Sequence, residues 1–172
     1  MVERAVPGPY DPEEMERFLD GFMYQRAGFL IDEVTRLDRE KHEIEARLGT
    51  CGSLPLSDLQ RVESWHPAHV AAGEIIQATG SLGCLHAWFF HGCRWDEGWA
   101  GFGNRIHRAD FKRIAKRGPD LHLTSRESRS RVGPRRVVIR YEFVFSQEDA
   151  IVYRGDQSAM FVKDWQFTES PA

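Results

Sequence analysis

The chain has 172 residues and a formal net charge of -3. That length suits one domain with a substantial core, and the slightly acidic balance excludes a general nucleic-acid binder. Cys51, Cys84 and Cys93 form no CxxC or Cys/His zinc pattern, and no long apolar run precedes Tyr10, so the expected setting is a reducing cytoplasm with no membrane anchor.

Asp11-Pro-Glu-Glu14 opens the first element. An aspartate at the N-cap, a proline at the first helical position and acids in the first turn predict a short leading helix within an N-terminal extension, residues 1–25. Residues 29–37 and 42–48 alternate roughly with period two, and the polar Asp38-Arg-Glu-Lys41 between them reads as a hairpin turn. Residues 49–64 are loop-like, with room for a helical turn. The next stretch, 66–90, predicts a long central helix. Pro67 suits its first turn, small residues are scattered over every face, and Glu74 is the only formal charge between Pro67 and Phe90. An exposed helix would separate an apolar stripe from a charged one; this one reads as a core helix wrapped by sheet. Its glycines, histidines, Gln77 and Glu74 are too polar for a membrane span.

Residues 99–107, 121–129, 135–145 and 149–163 follow as strands. In the third, Val137, Ile139, Tyr141, Phe143 and Phe145 fall on one face while Arg136, Arg140 and Glu142 fall on the other, so one face meets core and one meets water. The basic run over 126–140 reads as a solvated hairpin or a face for an acidic partner. With neither repeat nor linker, the chain is a single α+β domain, 1–172, an antiparallel sheet curled round one helix.

Three segments then carry a resemblance. Phe29-Leu-Ile-Asp-Glu-Val34, Gln77-Ala-Thr-Gly80, and Ala109-Asp-Phe-Lys-Arg113 followed by Gly118-Pro-Asp120 resemble, in order and roughly in spacing, the motifs of the hotdog fold and within it the 3-hydroxyacyl-ACP dehydratases of the FabZ/FabA type. The resemblance implies a homodimer with sheets joined edge to edge, or a heterodimer with a related subunit. It also implies an acyl tunnel at the subunit boundary, an acyl carrier protein or CoA thioester as ligand, and no cofactor. The family's catalytic pair is a histidine before the central helix and an acid within it. Registered on Gln77-Ala-Thr-Gly80, Gly73 falls on the acid and Leu59 on the histidine, so the catalytic candidates become His66 or His69 with Glu74. Dehydration needs a base of near-neutral pKa and a proton donor, which an imidazole and a carboxyl supply. Ala68, Gly73 and Gln77 are the expected substrate contacts, with Lys112 and Arg113 joining Lys116 and Arg117 in a basic rim for the carrier.

Two other readings compete with a dehydratase of fatty-acid or polyketide assembly. A hotdog thioesterase requires a helix carboxylate, Glu74, and a helix N-terminus to polarise the thioester carbonyl. A dehydratase-like subunit that has lost its catalytic pair would bind acyl chains or a partner. His86, His91, His107 and His122 show no metal-ligand spacing, so no metal site is expected.

Overall fold

Asp11 starts the first helix by direct capping: its carboxylate accepts the backbone N–H of Glu13 at 3.0 Å, satisfying one of the donors a helix start leaves free. This helix, α1, spans Pro12–Asp20 and buries Met15 and Phe18. Phe18 meets Phe29 and Trp88 edge-on, with ring centroids 5.5 Å away in each case, so the N-terminal segment is part of the core. The structure, a computed structural model, describes residues 6–166; residues 1–5 and 167–172 of the expected domain lie outside the described residues.

Strands β1 (Glu33–Asp38) and β2 (Glu43–Leu48) form the expected hairpin. Asp38 Oδ1 accepts the N–H groups of Glu40 and Lys41 at 3.1 and 2.9 Å, which fixes the turn locally. The first strand starts later than the alternation suggested: Phe29, Leu30 and Ile31 are buried but follow a 3-10 turn at Arg26–Gly28 and pack as irregular chain. Strands β3 (Trp99–Phe111), β4 (Leu121–Val132), β5 (Arg136–Gln147) and β6 (Ala150–Lys163) complete one six-stranded sheet in the order β1-β2-β4-β5-β6-β3, each neighbouring pair antiparallel. Val137, Ile139, Tyr141, Phe143 and Phe145 are all buried, as the period-two pattern required.

The central helix, α2, spans Ala72–His91 and lies on the sheet's inner face. Leu82, Leu85 and Trp88 are fully buried, and the Tyr141 hydroxyl donates to the Gly83 carbonyl at 3.1 Å. The helix ends at Gly92, whose φ of +63° closes a left-handed cap. It begins at Ala72 rather than at Pro67, and the reason is tertiary. Val70 N–H donates to Ala115 O at 2.8 Å and His69 bridges to Lys116, which holds the preceding residues extended. The receiving loop is itself clamped: Gln147 bonds the backbone of Lys116 and Pro119 at 2.7–3.0 Å, and Thr50 bonds Lys116, Gly118 and Pro119. No described helix is long and apolar enough to cross a membrane.

Candidate functional site

Small residues on one face of α2 leave a gap between helix and sheet. Gly80 and Gly83 line it; a methyl group added at Gly80 would meet nothing within 4 Å. Across the gap stand β3 at residues 101–106 and β6 at Gln157, Ser158, Ala159 and Phe161, with Phe22, Met23 and Tyr24 closing one side. The result is a cavity of about 410 Å³, a size in the range of small-molecule sites.

Its walls are mainly apolar, and its polar groups form a short chain. The Thr79 hydroxyl lies 2.6 Å from Ile76 O and 3.0 Å from Gln157 Oε1, and Gln157 Nε2 donates to the Tyr153 hydroxyl at 3.0 Å. Gln77 also faces the cavity and is anchored by donation from its amide to Gly28 O at 3.0 Å. Cys84 lines the cavity too, but burial pushes its thiol up to about 12, so it is not a thiolate nucleophile at neutral pH. Among the described residues, no carboxylate and no imidazole lines this space.

Of the eight residues singled out from sequence, only Gln77 lines the cavity. His66 and His69 do come together, with ring centroids 5.1 Å apart, but on the loop before α2. The His66 ring bonds Arg61 O at 3.1 Å and the His69 ring bonds Pro67 O at 3.0 Å. Ala68 is exposed between them. Glu74 is 1% exposed and faces backbone. Its Oε1 accepts the N–H groups of Leu56 and Ser57 at 2.8 and 3.1 Å, and its Oε2 accepts Ala71 N–H at 3.2 Å and the Ser57 hydroxyl. That carboxylate ties the incoming loop to the helix start, and its bond from Ala71 N–H satisfies the N-cap backbone from the third helical position, alanine having no side-chain oxygen to reciprocate. Gly73 packs against Leu56. Lys112 pairs with Asp110 at 3.0 Å at the end of β3, and Arg113 is exposed beside it; neither reaches the cavity. The rest of the supposed rim is engaged elsewhere, Lys116 with Glu148 and Arg117 with Asp58, both at 2.8 Å.

Sequence reasoning missed Thr79 and Gln157. Thr79 sits inside the quoted Gln77-Ala-Thr-Gly80 segment and was within reach, whereas Gln157 becomes relevant only through the packing of β6 under the helix.

Among the described residues β3 is an outer strand of the sheet, paired only with β6, and it carries register shifts at Gly103/Arg105 and Ile106/Arg108. Phe102 and Ile106 are exposed on it. Such bulges and twists are how a long outer strand avoids indiscriminate pairing.

No family model matches the sequence, and no curated protein matches it. Solved structures do match. A putative thioesterase from Shewanella oneidensis superposes with a TM-score of 0.58 at 12% identity, covering 88% of this chain and 99% of its own. A thioesterase from Haemophilus influenzae gives 0.56 at 13% identity, over 90% and 94%, and the PaaI protein from the phenylacetic acid degradation operon of E. coli gives 0.54 at 11%, over 86% and 92%. With its six-stranded antiparallel sheet around one central helix, the chain has the hotdog fold. The hotdog part of the resemblance therefore stands; the FabZ/FabA part gains no support from these neighbours.

Proposed function

We propose that this protein binds an acyl thioester in the cavity between α2 and the β3/β6 edge, with thioester hydrolysis ahead of dehydration as its reaction. The carrying observation is the cavity itself, an apolar trough with Gln77, Thr79 and Gln157 converging on it. The apolar walls suit an acyl chain, the amides and hydroxyl suit a thioester carbonyl, and Arg105 at the β3 side offers charge to the phosphates of CoA or of a carrier protein's arm. The thioesterase names of the structural neighbours favour hydrolysis. Dehydration needs an imidazole and a carboxyl facing one substrate, and His66, His69 and Glu74 do not face this cavity. A second copy joining at β3 would complete the trough, because residues 101–106 form both the cavity wall and the outer strand.

One observation favours a second reading, an acyl-binding subunit without its own chemistry. Glu74, the one carboxylate on α2, is saturated by hydrogen bonds, and no carboxylate or imidazole lines the cavity among the described residues.

The test is mass spectrometry of a 3-hydroxyacyl-CoA and of the same acyl group on carrier protein, each incubated with wild type and with Gly80→Phe. Hydrolysis breaks the C–S bond and releases free acid and thiol; the introduced aromatic ring, growing into open space, should abolish both binding and release while the fold survives. Loss of one water from the bound chain instead would restore the dehydratase reading, and binding without turnover would select the subunit reading. Equal turnover by Gly80→Phe and wild type would remove the cavity from the reaction.

A further inference from the structure

Three side chains far apart in sequence meet at the other end of α2. His91 is the last residue of that helix, His42 lies in the turn between β1 and β2, and Glu127 is on β4. His91 Nε2 is 2.7 Å and His42 Nδ1 is 3.0 Å from the same carboxylate oxygen, Glu127 Oε2, and all three atoms lie within 4.8 Å of one another. None of these residues lines the cavity.

The geometry points to a binding site for one divalent cation of the zinc type, held by His42 Nδ1, His91 Nε2 and Glu127 Oε2. Two imidazole nitrogens and a carboxylate oxygen form a donor set that borderline ions accept and that magnesium and calcium, with their all-oxygen preference, do not. Zinc with bonds of about 2.0–2.1 Å in tetrahedral geometry places its ligand atoms about 3.3 Å apart, so the two nitrogen–oxygen separations of 2.7 and 3.0 Å need to lengthen only by a few tenths of an ångström, and the two nitrogens lie within 4.8 Å of each other.

Several features of the chain favour a cation here. α2 is a 20-residue helix whose C-terminus ends at the cluster, and that end of a helix dipole is negative. Glu127 belongs to an arginine-rich strand, yet among the described residues it forms no ion pair with any arginine or lysine: Arg126 pairs with Glu142 instead, and Arg39 donates to Phe89 O. The two imidazoles are instead the side chains within hydrogen-bond distance of its Oε2.

The backbone is shaped to bring these groups together. Glu127 sits at a bulge, with the register shifting between Glu127 and Arg129, and bulges re-aim side chains. His42 has φ of +47°, in the left-handed region that few residues other than glycine adopt and that histidine tolerates better than most, and Glu127 N–H donates to His42 O at 3.0 Å. The stacking of Phe90 on His42, with ring centroids 5.0 Å apart, orients one of the ligands from behind. His91 and Glu127 side chains are 6% and 8% exposed and His42 is 38% exposed, so the fourth coordination position opens to solvent past His42. The ion would staple the β1–β2 turn, β4 and the end of α2 into one unit.

The experiment uses the full-length, tag-free protein, stripped with chelator and titrated with zinc chloride by calorimetry at neutral pH, with cobalt(II) spectra as a geometric probe. One equivalent of zinc should bind, cobalt should show the intense visible bands of a tetrahedral site, and zinc should raise the melting midpoint. His42→Asn, whose asparagine tolerates positive φ, and Glu127→Gln should each weaken zinc binding more than about 100-fold, since loss of outer-shell support alone costs 10–100-fold. His122→Asn, on an exposed histidine outside the cluster, should bind as wild type does. Absence of stoichiometric zinc binding to wild type, or binding that survives in both His42→Asn and Glu127→Gln with native circular dichroism, would overturn the assignment and leave the cluster a hydrogen-bonded latch.

Discussion

Replacing Glu74 by glutamine separates a structural carboxylate from a catalytic one. The wild-type group accepts four hydrogen bonds from Leu56, Ser57 and Ala71 at a site 1% exposed. The substituted amide would keep one oxygen for the Leu56 and Ser57 N–H groups, but its NH₂ would face the Ser57 hydroxyl and the Ala71 N–H. Ser57 can rotate to accept one of these; the Ala71 N–H keeps its bond to Ser57 Oγ at 2.8 Å only if that oxygen serves both. Hydrogen bonds to charged groups contribute about 1.5–3 kcal/mol, and a donor left buried costs about 1–3 kcal/mol. Partial compensation puts Glu74→Gln at about 2–3 kcal/mol of lost stability, and Glu74→Ala, which strips every acceptor, at about 3–5 kcal/mol. At this chain length each kcal/mol moves the melting midpoint by about 2–4 °C. Urea unfolding of both variants is the assay, with the slope expected unchanged and the midpoint lowered. Glu74→Gln with wild-type stability and no turnover would refute the clamp and return Glu74 to catalysis, the role the sequence suggested.

Two further substitutions probe other parts of the fold. Phe18→Ala should cost about 3–5 kcal/mol, because the ring is fully buried among Phe22, Phe29, Trp88 and Trp95; a loss under about 1 kcal/mol in urea would mean that α1 is not integral to the domain. His86 gives a pH signature. Burial pushes its imidazole down to about 3, against the pull of Glu127 and with His91 and His42 adding to the depression, while Ser125 on β4 bonds its Nε2 at 2.8 Å and Tyr141 on β5 packs against the ring. Below an unfolded value near 6.5 the unfolded chain binds a proton that the folded chain refuses, so stability falls with pH from about 6.5 towards 3, by about 1.4 kcal/mol per unit at most. His86→Gln should flatten that slope in urea titrations across this window, and identical slopes in variant and wild type would remove His86 as the source.

What the sequence determined by itself is local and periodic. Asp11 and Pro12 start α1 because a side-chain oxygen two residues from an orphan N–H needs no distant partner. Val137 through Phe145 declare a half-buried strand because alternate residues face opposite ways. A stretch with one formal charge and small residues on every side can only be a buried helix, so the α+β architecture was readable and the hotdog motifs placed it.

Tertiary structure decided where that helix begins and what its residues do. Pro67 fits either a first helical turn or an extended segment, and the pairing of His69 and Val70 with a loop nearly fifty residues away selects the second. Glu74 reads as either a catalytic acid or a hydrogen-bonded carboxylate until Leu56 and Ser57 donate to it. Gln157 joins Thr79 only because β6 runs under α2, and His42, His91 and Glu127 share no spacing along the chain. Local patterns encode which way a residue faces. Which partner it meets depends on how the elements close on one another, and there the chemistry of this protein is set.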